Sequence, residues 1–289
     1  MCIRSVFTRQ NYRNFNFIVI HQPLAPSAMS YSYTWGMGKI SFEALPRPIK
    51  YLVKLVLPTP IIRWRRSRLL SSLANKSNSE IFTSTYMNYR WGRNRGDFAL
   101  YSGDGSHKPE IVDGYISKVS EFLRTFNGKI IIVDIGCGDF NIGSKICDLA
   151  SEYIACDVVP AVITSNKQKY SHANVKFQVL DATNETLPGG DIIILRQVLQ
   201  HLSNIDIEKV LRSIEHNFKY LIFTDHQPLN SNWKPNIDKL TGSNIRNEFN
   251  SGLDLTAEPF NLSVAESQII DSVRIDDGYI RTFIYKLSS

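Results

Sequence analysis

From residue 108 onward, short β-branched runs alternate with stretches whose apolar residues recur at helical spacing, and this alternation constrains the fold most. A helix is predicted from Ile111 to Phe126, and a buried strand follows over 129–135. Further strands are predicted from residues 153, 175, 191 and 220, with helices from Pro160 and over 207–218. Strands that alternate with helices form a parallel sheet with right-handed crossovers. The sequence therefore predicts an α/β domain over residues 108–289.

The C-terminal end departs from this alternation. Residues 271–275 and 279–287 are strand-like and flank an Asp-Asp-Gly turn, which predicts a β-hairpin. The predicted fold is thus a Rossmann-like, doubly wound sheet with an antiparallel C-terminal hairpin strand.

The basic residues are concentrated at the start of the 289-residue chain, whose net charge is +6. Residues 1–76 hold 12 of the 33 Lys and Arg and one of the 27 acids, which gives +11 there and −5 elsewhere. A mildly acidic main domain argues against nucleic-acid binding. Residues 1–42 contain no acid, and three interpretations stay open: a targeting segment, a disordered extension or a structural element.

Residues 44–70 alternate apolar residues with bases. Peripheral contact with an anionic membrane is one interpretation, and a solvated helix packed on the main domain is the simpler one. No run of 18 apolar residues occurs, so no transmembrane segment is predicted. The four cysteines form no CxxC pair, which predicts no metal site and favours a reducing, cytoplasmic compartment. We predict a basic extension, partly disordered or helical (1–76), a lid or linker (77–107) and the main domain (108–289).

A glycine-rich turn (residues 136–138) follows the first predicted strand, and a helix is predicted after it to about residue 149. Glycines let the backbone approach a ligand, and a helix N-terminus offers free N–H groups. A dinucleotide fingerprint needs a third glycine at position 141, where this chain has Asn141.

Two carboxylates follow the next two strands. Asp157 ends the second strand, where a carboxylate can accept both ribose hydroxyls, although a cap or exposed strand end is the structural alternative. Asp181 follows the third strand, where it can accept from an adenine amino group or simply form a turn.

These motifs resemble those of the class I S-adenosylmethionine-dependent methyltransferases over roughly residues 108–288. The resemblance implies a seven-stranded sheet with an antiparallel last strand, and S-adenosyl-L-methionine as the cofactor. It implies that Gly136 and Gly138 contact the methionine part, Asp157 the ribose and Asp181 the adenine. The cofactor-binding residues predicted in the domain core are Asp134, Gly136, Cys137, Gly138, Asp157, Val158, Asp181, Ala182, Arg196 and Gln197.

The chain is also similar to bacterial methyltransferase domains of unassigned substrate, which carry Trp-Gly and Ser-Gly-x-Gly-Ser before the core. Here these are Trp91-Gly92 and the run that begins at Ser102. The resemblance implies that residues 101–106 form part of a lid and that Tyr101, Ser102 and Gly103 contact the cofactor. A flexible turn is the alternative.

Methyl transfer from a sulfonium needs alignment and a dry site, and a base only where the acceptor must lose a proton. The candidates for proton transfer at the carboxyl edge of the sheet are His201, Asp225 and His226, although a histidine there can equally cap or pack. The polar segment 227–259 supplies the predicted substrate-binding residues Trp233, Lys239 and Arg246.

The sequence therefore predicts a methyltransferase that acts on an oxygen or nitrogen of a small molecule, such as a sugar or another metabolite. A catalytically inactive binding module and a protein or RNA methyltransferase stay open as alternatives. A nicotinamide-dependent oxidoreductase is a further alternative, against which Asn141 and the hairpin argue. The oligomeric state is unknown from the sequence.

Overall fold

The structure, a computed structural model, describes residues 76–92, 100–127 and 129–288. The predicted basic extension lies outside the described residues except for residue 76, and the segment 44–70 lies wholly outside them. No helix in the described part is both long enough and apolar enough to cross a membrane.

The described part of the chain contains four α-helices and seven β-strands. The helices are α1 (Asn78–Met87), α2 (Pro109–Arg124), α3 (Pro160–Lys169) and α4 (Asn204–Ile214). The strands are β1 (Ile131–Ile135), β2 (Glu152–Asp157), β3 (Val175–Val179), β4 (Ile192–Arg196), β5 (Tyr220–Pro228), β6 (Val264–Ile275) and β7 (Gly278–Leu287).

The seven strands form one sheet in the order β3-β2-β1-β4-β5-β7-β6. Strands β1 to β5 are parallel, and β7 runs antiparallel to both β5 and β6. This arrangement confirms the predicted Rossmann-like sheet with its antiparallel C-terminal strand. The strand order reverses between β1 and β4, and open α/β sheets bind ligands outside the carboxyl ends of the strands at such a point.

Both faces of the central parallel strands β1, β4 and β5 are buried. Ile132 and Ile194 pack in a cluster with the apolar face of α2, whereas Val133 and Leu195 pack in a second cluster with α1, α3 and α4. Burial on both faces explains why these strands are continuous apolar runs.

The predicted helix after the glycine-rich turn is wrong, because residues 139–149 contain two short 3-10 helices instead (Gly143–Lys145 and Cys147–Leu149). Phe140 is fully buried with a φ of 60°, and a Cβ added at Gly143 would collide with its ring. The Asp139 carboxylate accepts from the Asn141 backbone N–H at 3.2 Å. Such local side-chain bonds compete with a helix, so the turn is not followed by a helix N-terminus.

Candidate functional site

The glycine-rich turn leaves the carboxyl end of β1 at the centre of the sheet. Gly136 and Gly138 have φ values of 71° and 55°, a left-handed conformation that glycine adopts readily. The N–H groups of Gly136 and Cys137 donate to the Cys156 carbonyl at 2.8 and 2.9 Å. Asn166 Nδ2 donates to the Gly138 carbonyl at 2.7 Å. The turn is therefore fixed to both β2 and α3, and burial raises the pKa of the Cys137 thiol.

Asp157 ends β2 beside this turn and is buried. Its carboxylate accepts from the backbone N–H of Gly138 at 3.1 Å and of Val159 at 2.9 Å. Burial raises the pKa of Asp157 to about 6, although these backbone bonds oppose the rise. Each oxygen receives one bond and keeps a lone pair, which can accept a ribose hydroxyl. Val158, the next residue, is half-buried.

Asp181 follows β3, next to the buried Ala182. It accepts from the Thr183 backbone N–H at 3.0 Å, from Asn184 Nδ2 at 2.9 Å and from Asn78 Nδ2 of α1 at 3.4 Å. Burial raises the pKa of Asp181, but hydrogen bonds from Thr183, Asn184 and Asn78 outweigh it, so the net pKa is lowered. Oδ1 receives the two short bonds from Thr183, whereas Oδ2 receives one short bond, from Asn184, so Oδ2 is the oxygen that an adenine amino group would use.

Asp134 and Arg196 lie on the central strands β1 and β4. Asp134 accepts from Tyr153 OH at 2.9 Å, and burial raises the pKa of Asp134 to about 7. The guanidinium carbon of Arg196 lies 4.8 Å from the centre of the Tyr115 ring, and burial lowers the arginine pKa. Arg196 Nε is buried and has no hydrogen-bond partner among the described residues. It is a donor that a ligand carboxylate could use.

Residues 101–106 pack against the glycine-rich turn. The Ser102 backbone N–H donates to Asp139 Oδ2 at 2.9 Å, and the Asp139 N–H donates in return to Ser102 Oγ at 2.8 Å. Arg196 Nη2 donates to the Gly105 carbonyl at 2.6 Å. This segment is therefore held on two strand ends at once, as a lid would be.

The predicted contact residues of this segment are arranged around it. Tyr101 OH donates to Asp104 Oδ1 at 2.7 Å, and Gly103 has a φ of 93°. Gln197 follows β4 with a φ of 56°, and a Cβ added at Gly105 would collide with its side chain. Gly105 thus lies directly against the Gln197 side chain, which would have to move to make room for a larger residue at 105.

Helix α1 also contributes to this site, which the sequence analysis missed. Tyr86 OH lies 3.2 Å from Ser102 Oγ, and the Trp91 ring packs edge-on against Tyr86, with centroids 4.9 Å apart. Ser77 and Glu80 form a capping box at the start of the helix. That capping signal, followed by apolar residues, is typical of a helix start and could have located α1.

His201 lies in a 3-10 helix (Leu199–His201) after β4, with its ring 5.2 Å from that of Trp91. Burial, assisted by the Lys239 charge, lowers the pKa of His201 to about 3, so the imidazole is neutral at pH 7. Lys239 Nζ donates to the His201 carbonyl at 2.8 Å, and burial lowers the lysine pKa to about 7. The structure thus brings His201 and Lys239 together beside Trp91.

Asp225 and His226 are adjacent near the end of β5, so their side chains face opposite sides of the sheet. Asp225 accepts from the Leu253 N–H at 2.8 Å, and burial raises its pKa to about 6. His226 Nε2 lies 3.3 Å from Asp277 Oδ1 and 3.2 Å from Asn247 Nδ2. Both side chains therefore contact the loops at the end of β5.

Arg246 is 1% exposed, and burial lowers its pKa to about 10. Its five N–H donors are used by the carbonyls of Leu199, Gln200, Leu202 and Ile237 and by Asn204 Oδ1. No donor is left for a substrate anion, so the geometry favours a structural role over the predicted substrate contact. Trp233, predicted from the same loop, is half-buried.

A family model for a methyltransferase domain matches residues 133–219. The matched span begins within β1 and ends at residue 219, just before β5. It includes the glycine-rich turn, Asp157 and Asp181. Over these residues the chain therefore has the sequence pattern of a methyltransferase domain. S-adenosylmethionine is the cofactor of such a domain.

Relatives of this methyltransferase domain match over parts of their length. A probable methyltransferase of Arabidopsis thaliana is 29% identical over 101 residues, 33% of this chain and 16% of that protein. A ubiquinone biosynthesis O-methyltransferase of Rickettsia akari is 23% identical over 133 residues, 45% of this chain and 51% of that protein. The chain thus matches about half or less of each relative. Among solved structures, the chain is similar to magnesium protoporphyrin IX methyltransferase from Synechocystis PCC 6803 with bound S-adenosylmethionine. The two sequences are 16% identical, and the alignment covers 74% of this chain and 99% of that chain with a TM-score of 0.47.

The side chains of the methyltransferase domain fit the cofactor in their hydrogen-bonding chemistry. Asp157 has lone pairs for ribose hydroxyls, and Asp181 accepts from N–H donors as adenine would require. Arg196 has a buried N–H that the methionine carboxylate could satisfy. The individual contacts stay predictions.

Proposed function

We propose that this chain transfers the methyl group of S-adenosylmethionine to an oxygen or nitrogen atom of a small molecule. The bound cofactor supplies a methyl group on a sulfonium, so the protein has to align the acceptor and exclude water. The observation that carries the proposal is the reciprocal pair between Ser102 and Asp139, which holds residues 101–106 against the glycine-rich turn. If residues 101–106 also lie over the bound cofactor, the acceptor has to be a small molecule rather than a protein or an RNA.

Two buried ring nitrogens indicate where the acceptor binds. Trp91 Nε1 and His201 Nδ1 are buried, and neither makes a hydrogen bond of good geometry with a described residue, although backbone groups of Gly242 and Asn244 lie close to the imidazole. Their rings lie 5.2 Å apart. A buried polar atom without a partner costs about 1–3 kcal/mol, so a ligand that supplies one gains that energy. A hydroxyl or a neutral amine can both donate and accept, and therefore suits this position.

His201 would then orient the acceptor rather than act as a strong base. With a pKa of about 3, its neutral imidazole holds a proton weakly. A weak base of this kind can still take a proton from an acceptor that becomes acidic during the reaction. An oxygen or nitrogen atom does so as its new bond to the methyl carbon forms.

The composition and one relative support the same class of acceptor. Residues 77–289 hold 21 Lys and Arg against 26 acids, which disfavours an RNA partner. The Rickettsia relative is named as an O-methyltransferase of ubiquinone biosynthesis, which agrees with an oxygen acceptor on a small molecule.

Calorimetric titration with S-adenosylhomocysteine, with NADH as the control, tests the cofactor. We expect micromolar binding of the first and no binding of the second, and the reverse result would overturn the proposal. Methyl-labelled S-adenosylmethionine is then offered with phenols, sugars and amines, and in parallel with RNA and with a protein mixture. Label found only in RNA or protein would refute a small acceptor. Cofactor binding without any transfer would favour the inactive binding module.

His201→Ala tests the acceptor side. We expect turnover of the labelled acceptor to fall by about tenfold or more, the low end of what a positioned polar group contributes. The affinity for S-adenosylhomocysteine should stay near that of the wild type, because the cofactor contacts predicted here do not include His201. Equal turnover in both proteins would remove His201 from the mechanism.

A further inference from the structure

A second group of potential ligands lies at the sheet edge opposite the glycine-rich turn. Cys147 and Asp148 belong to the 3-10 helix just before β2, and His172 lies in the loop just before β3. The thiol, one carboxylate oxygen and one imidazole nitrogen all lie within 4.8 Å of one another. Because β2 and β3 are parallel, both stretches meet at their amino ends, whereas the turn and Asp157 lie at the carboxyl ends.

The distances suit one tetrahedral metal ion. Cys147 Sγ lies 3.7 Å from Asp148 Oδ1, and His172 Nδ1 lies 3.5 Å from the same oxygen. Zinc bonds of about 2.3 Å to sulfur and about 2.0 Å to nitrogen or oxygen place neighbouring ligand atoms about 3.3–3.5 Å apart. Two of the three distances are therefore within a few tenths of an ångström of these values, and the third, from Cys147 Sγ to the His172 imidazole, is at most 4.8 Å.

The surroundings hold two ligands in place and leave the third accessible. Cys147 is buried, whereas the side chains of His172 and Asp148 are 27% and 79% exposed, so an ion can enter from the Asp148 side. Asn174 Nδ2 donates to the Cys147 carbonyl at 2.8 Å, and the Tyr170 ring stacks on His172 at 6.4 Å. Such supporting contacts orient metal ligands, and the exposed side leaves room for a water as fourth ligand.

We propose that Cys147, Asp148 and His172 bind a zinc ion that fastens residues 139–149 to the loop before β3. One thiolate, one imidazole and one carboxylate form a ligand set that suits zinc better than magnesium or calcium. On binding, the metal takes the place of the Cys147 thiol proton, which passes to solvent. Residues 139–149 contain no α-helix and continue directly from the glycine-rich turn. A zinc ion bound to this segment would therefore make the backbone next to the turn more rigid.

Titration of the full-length protein with cobalt(II), after chelation and dialysis, tests the site. Cobalt(II) reports a thiolate ligand by a near-ultraviolet charge-transfer band and tetrahedral geometry by intense visible bands. We expect both signals to saturate at one equivalent and to disappear when zinc is added. The absence of a thiolate band in the wild-type protein would overturn the proposal.

Three ligand variants and one control complete the test. Cys147→Ser, Asp148→Asn and His172→Gln should each weaken cobalt binding by about tenfold or more. Cys156→Ala, which removes another buried free thiol, should bind as the wild type does. Asp148 is exposed, so its variant should fold normally and a loss of binding there cannot reflect unfolding. Binding that survives in Cys147→Ser, or that is unchanged in both other ligand variants, would refute the site.

Discussion

Replacing Arg246 by methionine should destabilise the protein by about 3–5 kcal/mol. The guanidinium is almost fully buried and donates to five acceptors. Four of these acceptors, the carbonyls of Gln200, Leu202 and Ile237 and Oδ1 of Asn204, have no second donor in the described part of the chain. A buried acceptor without a donor costs about 1–3 kcal/mol, and four at the lower end of that range give the stated total.

Thermal unfolding followed by circular dichroism measures this effect. For a domain of this size about 2–4 °C of Tm corresponds to 1 kcal/mol, so Tm should fall by about 10 °C. Arg212→Met is the matched control, because Arg212 is exposed on α4 and, among the residues that the structure describes, pairs only with Glu208, 3.1 Å away. That variant should lose less than about 1 kcal/mol. Suppose instead that the Tm of Arg246→Met lies within about 2 °C of the wild-type Tm and that the variant loses turnover. Arg246 would then serve the substrate, and our structural assignment would be wrong.

Three further predictions concern buried carboxylates. Asp157→Ala should weaken S-adenosylhomocysteine binding by about tenfold or more in calorimetry, and unchanged affinity would exclude the ribose assignment. Asp139→Asn removes the charged acceptor of the Ser102 N–H, so hydrogen exchange at the Ser102 amide should become about tenfold faster or more. The control Glu110→Gln changes an exposed carboxylate and should leave the exchange rate of that amide unchanged. Burial raises the pKa of Asp134 from 3.8 to about 7, so its stabilising effect is complete below that lower pKa and is lost as the pH rises toward the higher one. Asp134→Asn should therefore flatten the pH dependence of urea unfolding from about pH 4 to about pH 7, and equal slopes in both proteins would contradict the raised pKa.

The parallel strands β1, β4 and β5 are predictable because each contains a short apolar run buried on both faces, whereas the edge strand β3 alternates apolar and polar residues. The elements that escape prediction lack such a pattern. Strand β6 begins at Val264, seven residues before the predicted Asp271, because residues 265–269 are exposed and the strand is irregular at two points. The missing helix after the glycine-rich turn depends on the left-handed Phe140 and on its packing against Gly143, and neither is visible in a local helical pattern.

The carboxylates of the candidate site are predictable because their positions at strand ends follow from the sheet. Asp157 and Asp181 each come at the carboxyl end of a parallel strand. Their position at the same edge of the sheet can therefore be predicted from the order of the strands alone. The tether between Ser102 and Asp139 joins residues 37 positions apart, so no local periodicity reveals it. The contact of Asn78 with Asp181 spans 103 positions and is equally hidden.

The loop after β5 shows why a basic side chain in a polar segment is a poor guide to substrate charge. Arg246 uses all its donors within the protein, on carbonyls around His201, on the Ile237 carbonyl and on Asn204 Oδ1. Lys239 donates to the His201 carbonyl, and burial lowers the lysine pKa to about 7. At neutral pH these two side chains therefore offer a substrate much less positive charge than the sequence suggests. The loop does not require an anionic acceptor, and recognition would instead fall to the Trp91 and His201 rings, whose unpaired nitrogens suit a neutral hydroxyl or amine.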